Sequence, residues 1–213
     1  MKTSLFFIFA LFTLSLSAQQ TIRVDDPWAN LTPKEREERI RKRELYKLNK
    51  IGATIHTPSK YTKYNKRFPL YCYQSSNDYH FVNRDSSIII GVSLFGRDSL
   101  DYVKDFESNK RIPMFRKNYD PDDQWLINVR SNADSTTFKP IFYSGAQIKK
   151  YNADGAVEFF RNCAGSGYKI ARILLLNKKY RGIIEITYFI KQNEKTDIVD
   201  KEVRKANKMI TYN

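Results

Sequence analysis

The sequence predicts an α+β domain, an antiparallel β-sheet flanked by helices, preceded by a charged N-terminal helical arm. Three observations lead there. Ile184, Ile186, Tyr188 and Ile190 alternate with Glu185 and Thr187, the period-two pattern of a strand with one face on a core. The Ile- and Leu-rich run Lys169 to Leu176 precedes it across a short polar connection ending in Gly182, which has the length and composition of a hairpin loop. Beyond a polar break at 192–195, Val199, Val203, Ala206 and Ile210 recur at helical spacing. Asp197 and Asp200 open that helix and Lys205 and Lys208 lie near its end, as the helix dipole prefers. The pattern points Ile186 towards the core and Thr187 towards water, and lays the last helix on the sheet.

At the start of the chain, Met1-Lys2 is a short basic lead, Leu5 to Leu16 is apolar, and Ser17-Ala18 are small. This is the layout of a secretory signal peptide, and the apolar run is shorter than the ~20 residues of a spanning helix. The expected organisation is a signal peptide over 1–18, an exposed segment and basic helix over 19–51, and a single α+β domain over 52–213. No cysteine stands near the cleavage site for acylation, so the product is expected in the periplasm or outside the cell, with no transmembrane segment after signal removal.

Thr32-Pro33-Lys34-Glu35 combines a capping Thr, Pro at the first helical position and Glu three residues after the cap, a sharp helix start. Gly52 is placed to end that helix, whose apolar stripe is narrow and rests on Ile40, Leu45 and Leu48. Ala53 to His56 reads as a short strand. Tyr79 to Val82 and Ser87 to Leu94 form a second predicted hairpin turning at Asn83-Arg84-Asp85, and the unbroken Ile88-Ile89-Ile90 makes its second strand central and buried. Asp98 is placed to cap a helix that presents Leu100, Val103 and Phe106 on one side. Residues 109–124 are expected to form a long loop. Trp125 to Val129 then reads as a strand pairing with Phe138 to Tyr143. Ala156, Phe159, Phe160 and Cys163 recur at helical spacing after Asn152 or Asp154, so a helix is expected there before Gly165 and Gly167.

The chain of 213 residues carries 37 Lys or Arg against 23 Asp or Glu, a net charge of +14. The excess is uneven: residues 34–67 hold 12 Lys or Arg against 4 Glu. Within that stretch the segment Lys60 to Phe68 interleaves cations with aromatic rings. Lys60, Tyr61, Lys63, Tyr64, Lys66 and Arg67 are the candidate partner-binding residues, since charge steers an anionic partner and rings add contact area. The bland alternative is a solvated loop whose tyrosines pack on the domain edge.

Other chemistry finds little footing. Cys72 and Cys163 are the only cysteines and His56 and His80 the only histidines. The cysteines form either a disulfide, closing a loop worth ~4–5 kcal/mol in the chain-entropy model, or two separate buried thiols. A nucleophile at Cys163 with His80 or His56 as base lacks any supporting phrase. No pair of Cys or His stands at metal-ligand spacing, and Asp120-Pro121-Asp122-Asp123 lacks the Gly and Glu of a calcium loop and reads as an acidic turn. No catalytic residue, metal or cofactor is expected.

Gly52-x-x-Ile55-x-x-Pro58-x-x-Tyr61, followed by a meander of strands, a helix before the last hairpin and a C-terminal helix, resembles the PsbP-like α+β fold over residues 52–211. The resemblance implies a small binding or assembly module and names no ligand or catalytic residue. The expected role is an exported, non-enzymatic interaction domain of the bacterial cell envelope, contacting a protein or an anionic glycan, with nucleic acid disfavoured. The alternative is an envelope hydrolase or transferase with a polar cleft that the sequence does not display.

Overall fold

The computed structural model describes residues 30–64, 77–110, 125, 126, 129, 139–163, 167–191 and 196–213. The predicted signal peptide, residues 111–124 of the loop expected over 109–124, with its acidic turn, and Lys66, Arg67 and Cys72 lie outside the described residues, while Asn109 and Lys110, expected in that loop, belong to a helix. Among the described residues, no helix is long and apolar enough to cross a membrane. The chain divides into two units, Met1–Arg41 and Lys42–Asn213, and the division falls inside helix α1, Pro33–Ile51.

In the first unit the predicted cap forms. The Glu35 N–H donates to Thr32 Oγ1 at 3.3 Å, and Glu35 Oε2 accepts the Thr32 N–H and O–H, each at 2.7 Å. Two orphan donors of the first turn are thus satisfied reciprocally.

In the second unit α1 ends at Gly52, whose φ of 62° favours a residue without Cβ. The strands that follow are β1 (Ala53–Ile55), β2 (Tyr61–Lys63), β3 (Tyr79–Asn83) and β4 (Ile88–Gly96). Helix α2 spans Ser99–Lys110, β5 Ile141–Phe142 and the short α3 Ala146–Lys149. Then come β6 (Gly155–Asn162), β7 (Tyr168–Lys178), β8 (Gly182–Lys191), α4 (Thr196–Ala206), a 3-10 turn over Asn207–Met209, and β9 (Ile210–Tyr212). Seven strands form one sheet in the order β2-β3-β4-β8-β7-β6-β5, each neighbouring pair antiparallel, while β1 and β9 pair separately.

Both predicted hairpins are present. In the β3–β4 turn Asn83 Oδ1 accepts the Ile88 N–H at 3.0 Å and Asp85 Oδ1 accepts the Ser87 N–H at 3.1 Å, which replaces the ladder bonds lost in the reversal. The β7–β8 loop closes at Gly182, with φ of 109°, where a Cβ would stand 2.1 Å from the Phe95 carbonyl oxygen of β4. Only glycine permits that approach.

The sheet is covered on both faces, which the alternation in β8 did not reveal. One core gathers Ile90, Val92, Leu174, Leu176, Ile184, Ile186 and Tyr188 under Val199, Val203 and Ala206 of α4. The other gathers Ile89, Ala171, Ile173, Val157, Phe159 and Phe189 with Trp125 and Val129. Ile186 points inward as expected, but Thr187 is fully buried too and its Oγ1 donates to Glu185 at 3.4 Å.

The expected helix over Ala156 to Cys163 is instead strand β6. An apolar run buried on both faces meets a helical template and a strand template equally, and here Ala156 faces the first core while Val157 and Phe159 face the second. Trp125, Leu126 and Val129 are helical rather than extended, and Ile141–Phe142 pairs with β6 instead of with them. Ile210 leaves the predicted helix for β9, opposite Ile55. In α2 the buried side chain is Tyr102, while Leu100 and Val103 are exposed; the Phe106 side chain lies outside the description. In α1, Ile40 and Leu45 are exposed, and Glu44, Leu48 and Ile51 turn inward.

Candidate functional site

Strand β2 and the residues on either side of it carry the described members of the predicted binding segment. Lys60 lies in the turn before β2, exposed, with φ of 70°. Tyr61 opens the strand and is only 8% exposed, packed into the first core. Its Oη finds no hydrogen-bond partner, and burial, aided by the Glu202 and Asp85 carboxylates, pushes the phenol well above its ordinary range. Lys63 is held by Glu44, Nζ to Oε2 2.7 Å, and lies 4.9 Å from the Tyr79 ring centre. Tyr64 is 37% exposed, and its N–H donates to the His80 carbonyl at 2.8 Å. Lys60, Lys63 and Tyr64 are therefore all exposed, Lys63 while tied to Glu44, and only Tyr61 is buried against the rest of its unit.

An unexpected residue anchors α1 here. Asp78 Oδ1 accepts Lys47 Nζ at 2.6 Å and Arg43 Nη2 at 3.2 Å, and Oδ2 accepts the Leu94 N–H at 2.9 Å. Two helix cations are thereby held by one buried carboxylate.

A second polar constellation sits on the same face of the sheet, under α4. Arg172 of β7 lies between Glu158 of β6 and Asp200 of α4. Its Nη2 donates to Glu158 Oε2 at 3.1 Å, and Nε lies 2.8 Å from Oε1 without the angle of a hydrogen bond. Nη1 bonds Asp200 Oδ1. Tyr143, just beyond β5, donates its Oη to Glu158 Oε2 at 2.7 Å, and burial, then that bond, pushes its phenol upward. The guanidinium also lies 5.4 Å from the Phe160 ring centre. Nearby, Tyr188 donates to Asn207 Oδ1, and burial raises Tyr151 to about 12. Arg172 already meets two carboxylates, so the arrangement joins three elements and is not an open anion site. The sequence carried one hint of it: Glu158 and Arg172 are lone charges in otherwise apolar runs.

The histidines and the described cysteine do not converge. His80 of β3 is half-buried, and burial lowers its pKa against the opposing pull of Asp78. Cys163 is fully buried in the second core just after β6. Four strand spacings separate β3 from β6, roughly 19 Å at ~4.8 Å each, too far for a base to take a thiol proton. His56 is exposed beyond β1. Among the described residues no three His, Cys, Asp or Glu side chains group as metal ligands would. Comparison with protein-family models and with curated proteins finds no match.

Proposed function

We propose that this protein is an exported interaction domain of the bacterial cell envelope, which contacts a protein or an anionic glycan through the basic stretch 34–67. One observation carries the reading: Lys60 and Tyr64 stay solvent-facing at an edge of the sheet, while the cations around them are tied to internal carboxylates. Further support is the signal-like pattern over 1–18 and the local excess of 12 cations over 4 Glu. The likeness to PsbP-like domains adds to the binding-module reading, although β6 stands where a helix before the last hairpin contributed to it.

The test replaces Lys60, Lys66 and Arg67 by Gln, leaving Lys63 and Tyr61 in place because they hold the fold. Co-sedimentation with envelope fractions should weaken at low salt and lose part of its salt dependence, while the thermal melt stays unchanged. Tyr64→Ala should weaken the binding that survives at high salt, by ~1–3 kcal/mol if the ring stacks on its partner. Sedimentation equal to the unaltered protein at low salt would remove the proposal. The same compartment allows a Cys72–Cys163 disulfide, the one pairing that the sequence offers.

A further inference from the structure

The edge of the sheet opposite β2 is β5, two residues long and exposed, with Ile141 at 52% and Phe142 at 59%. Large apolar side chains on an outermost strand are ordinarily blunted or covered, because the free backbone beside them is a template for another strand. Here the register exposes part of that template. Tyr143 donates its N–H to Ala156 at 2.9 Å, and Phe142 stands opposite Val157. Alternation in an antiparallel ladder therefore turns the N–H and C=O of Phe142 away from β6. Pro140 supplies no N–H, so Phe142 is the strand's outward donor.

Lysines flank this strand in the chain. Lys139 precedes it, and Lys149 and Lys150 follow in the connection back to β6; all three are exposed, and none makes an ion pair among the described residues. We propose that β5 is a docking edge for an extended acidic peptide, one with apolar residues at its centre and carboxylates at both ends. The reasons are geometric and electrostatic. Ile141 and Phe142 are consecutive strand residues and so point to opposite faces. A planar membrane could take only one of them, whereas an added strand presents neighbouring side chains to both faces. A second copy would bring the same lysines against these, and a chain of net charge +14 repels itself. Main-chain bonding would hold the peptide, with side chains setting the choice of sequence.

The probe is a fluorescein-labelled peptide, Glu-Glu-Val-Ile-Val-Glu-Glu, titrated with the full chain at low salt and followed by polarisation. Saturable binding is expected. It should weaken roughly tenfold or more in the triple variant Lys139→Gln, Lys149→Gln, Lys150→Gln, and similarly in Ile141→Thr, Phe142→Thr, with thermal melts unchanged because all five side chains are exposed. A peptide with Lys in place of Glu, or with alternate backbone nitrogens methylated, should not bind. No binding of the probe, equal affinity in both variants, or equal binding of the Lys or methylated peptide would overturn the proposal. So would a Phe142-dependent association with phosphatidylglycerol vesicles that the probe does not compete away, which would make this edge a lipid contact.

Discussion

Tyr61 shows how one side chain changes meaning between sequence and structure. Among lysines it reads as an exposed ring, yet it is a core residue whose hydroxyl is buried without a partner. An unsatisfied buried hydroxyl costs about 1–3 kcal/mol of desolvation, whereas the ring is worth that much or more in packing. Tyr61→Phe is therefore expected to leave stability unchanged or raise it by about 1 kcal/mol, and Tyr61→Ala to lower it by about 3–5 kcal/mol. Denaturant melts measure both. A large loss in Tyr61→Phe would mean that the hydroxyl is bonded. Thr187 belongs to the same lesson: polar by type, it is fully buried beside Glu185, so its removal costs more than an exposed threonine would.

Helix α4 is held at the level of elements by two kinds of contact. Val199, Val203 and Ala206 bury its apolar stripe on the sheet, and Asp200, next to Val199, reaches Arg172. Arg172 also binds Glu158, whose side chain is almost wholly buried, and Glu158 in turn accepts Tyr143. Removing the arginine strands a buried carboxylate, a change that costs about 3–5 kcal/mol where a buried pair is broken. Arg172→Met should show a loss of that order. Glu158→Gln combined with Arg172→Met should lose markedly less than the sum of the two single variants, since the pair acts as a unit. Additive losses would show that Arg172 contributes through packing on Phe160 alone. The corresponding device on α1 is Asp78, which fixes Lys47 and Arg43 beside the Leu94 N–H.

At the scale of the whole molecule, charge is the property that stands out. A net charge of +14 keeps copies apart and draws anionic partners, which is the physical ground for both proposed surfaces, one at each edge of the sheet. The proposed export underlies the envelope reading. Protein recovered from its native host is expected to begin at or near Ala18 or Gln19, without an added lipid, and intact-mass measurement decides it. Alkylation before and after reduction, read in the same spectrum, counts the thiols and should report Cys72 and Cys163 as bonded. Retained residues 1–16, an acyl mass, or two alkylated cysteines without reductant would each remove the corresponding part.

What the sequence determined by itself was local. The capped start of α1, its end at Gly52, the turn at Asn83 to Ser87, the hairpin of β7 and β8 and the helix over 196–206 each depend on residues a few positions apart. Their signals therefore lie within a short window. Tertiary structure decided whatever depends on cover. A second core on the far face of the sheet removed the polar alternation from β6, so Ala156 to Cys163 fitted helical spacing as well as it fitted a strand. The same cover buried Thr187. On the first core, α1 turns Glu44, Leu48 and Ile51 inward and leaves Ile40 and Leu45 exposed. The Arg172 network was illegible for a related reason: its partners lie 14 and 28 residues away. The pairing of β6 with β7 and the packing of α4 on the sheet bring them together, and neither leaves a period in the sequence.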